Sequence, residues 1–347
     1  MKLTCVDRVA QIRAYSVPKS GVPCDLRLDG NEGRKPDGRW AQPLGSPEVA
    51  RQYPKLTALQ ERLAARHGVA AEQVLVTAGA DEALDRACRA MLDESRGLVL
   101  PLPTFEMLHT YAKLTGARIA EIAWPGGAYP EAAVLEAIDE RTVAVAMVSP
   151  NNPTGAVATA ENLARVAAAA PLVLLDHAYV EFADHDLSAR ALELGNVIVF
   201  RTLSKAWGLA GLRIGYAVGP SEPIGWMRRV GLPYPVSGPS LHVALDQLDR
   251  SVAEVDAFVT AVRSRRQVLE ARLQTQGVAL EPSQANFVFL RHPGADALRE
   301  GLAQHGIAVR GWPGHPVLAD GLRITVPADD ASQQRLLAAL DAVLAVA

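Results

Sequence analysis

The sequence predicts an α/β fold in which a large domain has a mostly parallel sheet flanked by helices and a smaller domain is α+β. From residue 55 to 220, short runs of Val, Ile and Leu alternate with Ala/Leu-rich helical patterns, which is typical of strands joined by helices. Several of these runs are almost continuously apolar, as in strands buried on both faces of a parallel sheet. After residue 221 this alternation ends, and a long helical pattern is followed by short strands.

The elements of the large domain follow from this alternation. The predicted strands are Gln73–Thr77, Gly97–Leu100, Arg118–Trp124, Val143–Val148, Leu172–Leu175, Val197–Arg201 and Ile214–Val218. The predicted helices between them are Asp81–Leu92, Phe105–Thr115, Glu131–Ala137 and Thr159–Ala168.

The two ends of the chain differ from this middle part. The first 40 residues contain many turn residues and few periodic signals, which indicates an extended arm. Residues 221–240, rich in Gly, Pro and Ser, are predicted to be a connection. The smaller domain is predicted to contain the helices Ser240–Thr275 and Ser332–Ala345 and the strands Asn286–Arg291, Ala308–Arg310 and Leu322–Val326. The predicted units are residues 1–40, 41–235 and 236–347.

Composition excludes several classes of protein. The 347 residues contain 35 Lys and Arg against 38 Asp and Glu, so no basic excess exists to bind nucleic acid. Three Cys without a CxxC pattern or adjacent His indicate neither a disulfide framework nor a metal site. The segment Met1–Arg13 lacks the apolar run typical of a signal peptide, and no apolar run of about 18 residues indicates a membrane span. We therefore expect a cytoplasmic protein that binds neither membrane nor nucleic acid.

Polar side chains follow three of the predicted strands. Asn152 lies in the segment Ser149–Gly155 after one strand, Asp176 and Tyr179 follow the next, and Lys205 follows a third. In open α/β sheets, ligands bind beyond the carboxyl ends of the strands. The sequence therefore predicts that these four side chains share one site.

The segment from Arg201 to Tyr216 contains groups suited to binding a phosphate. Thr202 and Ser204 precede Lys205, and Arg213 follows eight residues later. Two hydroxyls and a guanidinium can hold a phosphate through charge-assisted hydrogen bonds. A lysine at a strand end can also form a Schiff base with a carbonyl compound. By itself, however, such a lysine is more often an exposed surface charge.

Together these segments resemble the fold-type I pyridoxal-phosphate aminotransferases of class I/II, and within them the histidinol-phosphate branch. The resemblance covers about residues 50 to 326. The segments that carry it are NNPTG (Asn151–Gly155), LLDHAYVEF (Leu174–Phe182), RTLSKAWGLAGLRIGY (Arg201–Tyr216) and TAGADEALDRACRAML (Thr77–Leu92). The resemblance implies an enzyme that transfers an amino group from a small amino donor to a 2-oxo acid with pyridoxal 5′-phosphate as cofactor, and no metal.

The resemblance also implies the roles of individual residues. Lys205 would bind the cofactor as a Schiff base and move the proton at the substrate Cα. Asp176 would pair with the pyridine nitrogen, and keeping that nitrogen protonated maintains the ring as an electron sink. Asn152 and Tyr179 would donate hydrogen bonds to the ring oxygen O3′. These four residues would form the reacting end of the site.

Other residues would hold the cofactor's ring and phosphate. Phe105 matches the aromatic residue that stacks on the ring. The phosphate would be held by Thr202, Ser204, Arg213 and the backbone amides of Ala80 and Asp81, at a helix N-terminus that favours anions. The side chain of Asp81 is predicted to be the N-cap of that helix. Tyr53 matches the tyrosine that reaches the phosphate in the neighbouring subunit, which implies a homodimer with shared active sites.

Two arginines and a tyrosine are the residues implied for the substrate, with Asn152. Arg323 matches the arginine that grips the substrate's acidic group, and Arg310 matches a second arginine of the histidinol-phosphate branch. Two guanidiniums suit a phosphate dianion, although Arg310 could instead pair with a local acid. Tyr15 is the candidate arm residue. The arm itself, Asp29-Gly-Asn-Glu-Gly33, departs from the Asn-Glu-Asn-Pro of that branch.

The expected reaction is therefore histidinol phosphate plus 2-oxoglutarate to imidazole acetol phosphate plus glutamate, a step of histidine biosynthesis. Three alternatives use the same scaffold: an aromatic aminotransferase, a phospho-amino-acid decarboxylase and an aminotransferase of a secondary pathway. A non-catalytic regulator of this fold is disfavoured, because Lys205 and Asp176 are intact and no helix-turn-helix is appended.

Overall fold

Two β-sheets organise the part of the chain that this computed structural model describes, residues 7–12, 21–35, 49 and 51–345. Their strands, in chain order, are β1 (Leu26–Leu28), β2 (Val74–Thr77), β3 (Gly97–Leu102), β4 (Arg118–Ala123), β5 (Thr142–Val148), β6 (Val173–Asp176), β7 (Val197–Thr202), β8 (Gly215–Val218), β9 (Ala279–Glu281), β10 (Phe287–Arg291), β11 (Ile307–Gly311) and β12 (Gly321–Thr325).

The larger sheet is mostly parallel, as predicted. Its order is β2-β8-β7-β6-β5-β3-β4. The four pairings from β7 to β4 are parallel, and β8 runs antiparallel to both of its neighbours. Parallel neighbours need crossover connections, which the helices between the strands provide. The α/β fold class is therefore confirmed.

Helices cover both sheets. They are α1 (Asp7–Ala10), α2 (Thr57–His67), α3 (Gly79–Met91), α4 (Glu106–Thr115), α5 (Glu131–Glu136), α6 (Ala160–Ala169), α7 (Ser188–Glu193), α8 (Ser221–Arg229), α9 (Gly238–Arg250), α10 (Val252–Thr275), α11 (Ala295–Gln304) and α12 (Asp330–Leu344). Short 3₁₀ turns occupy Ala71–Gln73, Val180–Phe182 and Ala210–Leu212.

The central strands are apolar because both of their faces are buried. In β6, Val173 and Leu175 pack into the core on one face of the sheet, while Leu174 packs into the core on the other face. Alternating residues of a strand point to opposite faces, so a strand covered on both sides must be apolar at every position. This arrangement holds the ends of β5, β6 and β7 rigidly beside one another.

The smaller sheet includes a strand from the N-terminal segment. Its order is β1-β11-β12-β10-β9, and β1 pairs in parallel with β11. The predicted extended arm therefore contributes the edge strand Leu26–Leu28, whose two Leu side chains join the core of this sheet. This pairing places the residues that follow Leu28 next to the ends of β11 and β12.

Two sequence predictions for residues 221–275 were wrong. The predicted connection contains helix α8, which forms because Ile224 and Met227 are fully buried in the core beside α3. Its Pro223 lies in the first turn, where proline is tolerated. The predicted helix Ser240–Thr275 is two helices, because Ser251 leaves the helical region with φ −115° and ψ 16°.

The described residues contain neither a candidate membrane span nor a candidate metal cluster. None of their helices combines the length and the apolar character needed to cross a bilayer. Within the same residues, no three His, Cys, Asp or Glu side chains form a group that could hold a metal ion.

Candidate active site

A cavity beyond the carboxyl ends of β5, β6 and β7 collects the predicted polar residues. Asp176 is the last residue of β6, Lys205 lies shortly after the end of β7, and Asn152 lies shortly after the end of β5. The cavity has a volume of about 820 Å³. The predicted residues that line it are Ala80, Asp81, Phe105, Asn152, Asp176, Tyr179, Thr202, Ser204, Lys205, Arg213 and Arg323.

Asp176 is a buried carboxyl group on the floor of this cavity. Its side chain is 4% exposed, and its Oδ1 accepts a hydrogen bond from the backbone N–H of Ala178 at 3.0 Å. Burial raises the pKa of Asp176 to about 7, against a smaller lowering by Lys205. Among the described residues, none forms an ion pair with Asp176. The carboxylate is therefore suited to a cationic partner that enters the cavity.

A buried histidine fixes the end of β6 beside the end of β5. The Nδ1 of His177 is hydrogen-bonded to the carbonyl of Ser149, and its Nε2 accepts from the N–H of Leu187 at 3.3 Å. Since Nε2 is an acceptor, the ring is neutral and Nδ1 carries the proton. Burial, together with Arg201, lowers the pKa of His177 to about 4. His177 therefore fixes the backbone next to Asp176. Because its ring is neutral, it does not form an ion pair with the Asp176 carboxylate.

Lys205 reaches into the cavity from the loop after β7. Its Nζ lies 3.4 Å from the carbonyl oxygen of Gly30 and 5.5 Å from the centre of the Tyr179 ring. The loop turns back through Gly208, whose N–H donates to the Lys205 carbonyl at 3.1 Å and whose φ is +71°. A positive φ suits glycine. The lysine amine is thereby directed across the face of Tyr179.

The segment after β1 lies directly on this lysine loop. A Cβ built on Gly33 would be 1.5 Å from the Lys205 carbonyl oxygen, and one built on Gly208 would be 2.2 Å from the Arg34 carbonyl oxygen. Arg34 also donates to Gln247 of α9 at 2.9 Å. Two glycines therefore allow the N-terminal segment and the lysine loop to pack backbone against backbone.

One end of the cavity is suited to an anion. The hydroxyl of Thr202 lies 2.8 Å from that of Ser204. The Nη2 of Arg213 lies 3.3 Å from the Oδ2 of Asp81, and Arg213 has a φ of +53°, unusual for a residue with a side chain. The first turn of α3 presents its N–H groups here.

The predicted N-cap role of Asp81 was wrong. Helix α3 begins at Gly79, two residues before Asp81, and its N-cap is Ala78. The N–H of Ala78 is instead hydrogen-bonded by the carboxylate of Glu82 at 2.5 Å. The side chain of Asp81 is therefore available to pair with Arg213.

Hydrogen bonds connect the arm, Tyr179 and Arg323. Asn31 donates to the Tyr179 hydroxyl at 3.1 Å and accepts from the Thr325 hydroxyl at 2.9 Å. Arg323 donates to the side-chain oxygen of Asn152, and to the Asp29 carbonyl at 2.8 Å. The arm differs in sequence from the Asn-Glu-Asn-Pro motif of the histidinol-phosphate branch, but its Asp29 carbonyl and Asn31 side chain contact residues of the site.

Arg310 and Arg323 lie side by side on the smaller sheet. They face each other directly in the antiparallel pairing of β11 with β12. Their side chains are 6% and 7% exposed. Both guanidiniums stack on Trp312, at 5.2 Å for Arg310 and 5.9 Å for Arg323. Two nearly buried positive charges on paired strand positions form a strong candidate anion site.

Arg310 lines a second cavity of about 710 Å³, which meets the first at Phe105, Asn152 and Arg323. The Nη2 of Arg310 lies 3.6 Å from the Oε1 of Glu106. The alternative that Arg310 pairs with a local acid is therefore realised in the structure, in a cavity that adjoins the first one.

Sequence reasoning missed four residues around this site: Asn31, Glu106, His177 and Trp312. Trp312 follows Arg310 by two positions, so strand alternation could have placed both on one face. Glu106 directly follows Phe105, which the sequence had already singled out. The contacts of Asn31 join residues more than a hundred positions apart and gave no local signal.

The predicted phosphate contact Tyr53 is not among the residues that line the cavity of its own chain. Tyr53 is 76% exposed and stacks on Tyr234, with ring centres 4.4 Å apart. Tyr15 lies outside the described residues.

The residues present fit pyridoxal 5′-phosphate. A buried carboxylate without a cationic partner matches the protonated pyridine nitrogen. The hydroxyl pair, Arg213 and the N-terminus of α3 match the phosphate, and the amine of Lys205 matches the aldehyde. A cavity of about 820 Å³ is of the size that binds such a ligand.

Comparison with known proteins gives the same result. The family described as aminotransferase class I and II matches residues 36–340. The histidinol-phosphate aminotransferase of Xanthomonas euvesicatoria pv. vesicatoria is 35% identical over 340 residues, covering 94% of this chain and 92% of that protein. The histidinol-phosphate aminotransferase 1 of Bacillus cereus is 36% identical over 277 residues, covering 77% of this chain and 74% of that protein.

Solved structures share the fold. The histidinol-phosphate aminotransferase of Sinorhizobium meliloti in complex with pyridoxal 5′-phosphate superimposes with a TM-score of 0.87 at 23% identity, covering 98% of this chain and 97% of that one. The N-succinyldiaminopimelate aminotransferase of Mycobacterium tuberculosis gives 0.78 at 25% identity, covering 91% and 93%. From the matched residues and the site they form, this chain belongs to the family of class I and II aminotransferases, which work with pyridoxal 5′-phosphate.

Proposed function

We propose that this aminotransferase transfers the amino group of histidinol phosphate to 2-oxoglutarate, giving imidazole acetol phosphate and glutamate. The observation that carries the proposal is the pair Arg310 and Arg323, opposite each other on neighbouring strands, nearly buried and stacked on one tryptophan. Two neighbouring guanidiniums complement a phosphate dianion, whereas a carboxylate needs only one. The curated relatives bear the same activity in their names.

Four residues act at the reacting end of the site. When bound, pyridoxal phosphate supplies an electron sink for the negative charge that develops at the substrate Cα. Asp176 keeps the pyridine nitrogen protonated. Tyr179 and Asn152 bind the ring oxygen, and Asn31 orients the Tyr179 hydroxyl. Lys205 would hold the cofactor covalently through Nζ until the substrate amine displaces it, and the freed Nζ would then accept the proton from the substrate Cα.

A second group of residues holds the cofactor without taking part in proton transfer. Phe105 covers the ring. Thr202, Ser204 and Arg213 bind the phosphate through side chains, and Ala80 and Asp81 bind it through backbone amides in the first turn of α3.

The substrate's acidic group binds between the arginines. Arg323 is held by Asn152 and by the Asp29 carbonyl, so its guanidinium is fixed before substrate arrives. Arg310 adds the second set of donors that a phosphate requires. Tyr15 of the arm is a further candidate contact.

The proposal includes a homodimer in the cytoplasm. Tyr53 is exposed and does not line the cavity of its own chain, as expected of a residue that completes the partner's phosphate site. The proposed units are an arm over residues 1–40, a cofactor-binding domain over 41–235 and a small domain over 236–347. The larger sheet lies within residues 41–235, and the smaller sheet combines strands of residues 236–347 with β1, which supports an arm that packs with the small domain.

A half-reaction screen tests the function. The loaded enzyme is mixed separately with histidinol phosphate, aromatic amino acids, glutamate and phosphothreonine, and loss of the bound cofactor's yellow absorbance is followed. We expect rapid loss with histidinol phosphate and with glutamate, and formation of imidazole acetol phosphate by mass spectrometry. An enzyme that reacts with an aromatic amino acid but not with histidinol phosphate would be an aromatic aminotransferase, and release of carbon dioxide from phosphothreonine would indicate a decarboxylase.

A further inference from the structure

The carboxylate of Glu106 lies close to Arg310, one of the two arginines proposed to bind the substrate. Glu106 is the first residue of α4 and directly follows Phe105. Its Oε1 lies 3.6 Å from the Nη2 of Arg310, whose side chain is 6% exposed, while the side chain of Glu106 is 48% exposed. Both residues line the cavity of about 710 Å³ that joins the cofactor cavity. A negative charge next to Arg310 affects how strongly the two arginines bind different anions.

The contacts described above give the two arginines partners of different charge. Arg323 donates to two neutral oxygens, those of the Asn152 side chain and the Asp29 carbonyl. Arg310 faces the negative charge of Glu106. The three ionised side chains therefore carry a formal charge of +1, where the arginines alone would carry +2.

We propose that Glu106 is a specificity residue that serves as a replaceable counter-ion for Arg310. Glutamate has two carboxylates, and the one that takes the place of the phosphate is a monoanion, which Arg323 binds while Glu106 keeps Arg310 neutralised. With a phosphate substrate, the dianion bridges both arginines and displaces Glu106. The inference deepens the proposed function and rests on it for the identity of the phosphate substrate.

The geometry of Glu106 allows this exchange. Its side chain is about half exposed and borders open cavity, so it can leave Arg310 without being buried elsewhere. It lies in the first turn of α4, where the helix dipole stabilises a carboxylate whether or not it is paired. Arg310 cannot move as easily, because it is nearly buried and stacks on Trp312 at 5.2 Å.

Coulomb's law gives the direction of the effect. The repulsion between Glu106 and a bound anion is proportional to the anion's charge, so it is about twice as large for a dianion as for a monoanion at the same position. Removing the negative charge of Glu106 should therefore favour the phosphate ligand over the carboxylate ligand. At the separations within such a cavity the relative gain is roughly three- to tenfold.

The test compares the loaded wild-type enzyme with Glu106→Gln and Glu121→Gln. Glu121 lines the same cavity but is paired with His109 at 2.8 Å, so its variant removes the same charge without touching Arg310. The measured quantities are kcat/KM for histidinol phosphate and for glutamate, and the inhibition constant of inorganic phosphate against glutamate.

We expect Glu106→Gln to raise the ratio of kcat/KM values, histidinol phosphate over glutamate, by about three- to tenfold, and to lower the phosphate inhibition constant by a similar factor. Glu121→Gln should change neither. An equal fall with both substrates would show that Glu106 only positions Arg310, and an unchanged ratio would also overturn the proposal.

The inhibition arm separates this inference from the proposed function. If wild-type enzyme does not react with histidinol phosphate, the proposed function fails, but the effect of Glu106→Gln on inorganic phosphate still decides whether Glu106 opposes a dianion. If wild type reacts and neither the ratio nor the phosphate inhibition constant changes in the variant, the function stands and the role of Glu106 is refuted.

Discussion

Gly33 lies with its Cα against the backbone of the lysine that we propose binds the cofactor. A Cβ on Gly33 would be 1.5 Å from the carbonyl oxygen of Lys205 and 2.7 Å from its carbonyl carbon. Lys205 also contacts the same segment through its side chain, since its Nζ lies 3.4 Å from the Gly30 carbonyl. The N-terminal segment therefore fixes the lysine at both its backbone and its amine.

The first prediction follows from this contact. Gly33→Ala should weaken cofactor binding, because a methyl group cannot be accommodated unless the lysine loop or the arm moves. Overpacking of this kind costs about 1–3 kcal/mol, which corresponds to roughly a 5- to 150-fold increase in the Kd of pyridoxal phosphate. The measurement is a fluorescence titration of cofactor-free protein. Gly21→Ala is the control, since a Cβ there meets nothing within 4 Å; equal Kd values for the two variants would contradict the prediction.

The second prediction concerns Lys205 itself. Borohydride reduction of the loaded enzyme followed by peptide mapping should place the pyridoxyl label on Lys205. Lys205→Ala should abolish transamination, because the covalent link and the proton transfer are both lost. Lys113, near the end of α4 and away from the cofactor cavity, gives a matched control, and Lys113→Ala should label and react normally. A label on any lysine other than Lys205 would refute the assignment of the site.

The third prediction uses the raised pKa of Asp176 in cofactor-free protein. A folded pKa of about 7, above the ordinary value of 3.8, means that the folded state holds the proton more tightly than the unfolded state. The stability from this group is fully present below about pH 4 and is lost as pH rises to about 7. The loss in the free energy of unfolding is on the order of 2–4 kcal/mol.

Asp176→Asn should remove that loss. Urea unfolding of the cofactor-free proteins at pH 4 and pH 8 should show that the variant gains stability relative to wild type as the pH rises. The loaded variant should turn over several orders of magnitude more slowly, because an amide cannot stabilise a pyridinium cation as a carboxylate does. If the free energy of unfolding changes with pH equally in the two cofactor-free proteins, ionisation of Asp176 does not destabilise the fold. Near-normal turnover of the loaded variant would show that Asp176 has no role in the mechanism.

The positions of the polar residues after β5, β6 and β7 could be predicted from the sequence for a physical reason. Parallel strands all end at one edge of their sheet, so a residue that directly follows a buried strand is located by chain position alone. Asn152, Asp176 and Lys205 are of this kind, and all three line one cavity. Arg310 and Arg323 lie on strands whose register could not be read from the sequence, yet their pairing follows once that register is known.

The remaining contacts depend on tertiary packing. The carbonyl of Lys205 meets Gly33 across more than 170 residues, and no local pattern encodes such a contact. Asp81 was misassigned as an N-cap because helix α3 begins two residues earlier, where Glu82 satisfies the N–H of Ala78. A helix boundary is the least certain part of a sequence prediction, and a two-residue shift changes the role of every side chain in the first turn.

The last prediction concerns substrate selection by the arginine pair. Arg310→Ala should lower kcat/KM for histidinol phosphate more than for glutamate, because a phosphate dianion needs both guanidiniums whereas one carboxylate group needs one. Loss of one charge-assisted set of hydrogen bonds costs about 1.5–3 kcal/mol, or roughly a 10- to 150-fold fall in kcat/KM. Arg323→Ala should damage both half-reactions, since either acidic group needs Arg323. Arg335, which pairs with Asp25 at the surface, provides the control, and Arg335→Ala should leave both values unchanged.

The deciding quantity is the ratio of kcat/KM values for the two substrates in wild type and in Arg310→Ala. An unchanged ratio would mean that Arg310 does not bind the phosphate, and the pairing of Arg310 with Glu106 at 3.6 Å would then be a structural ion pair alone.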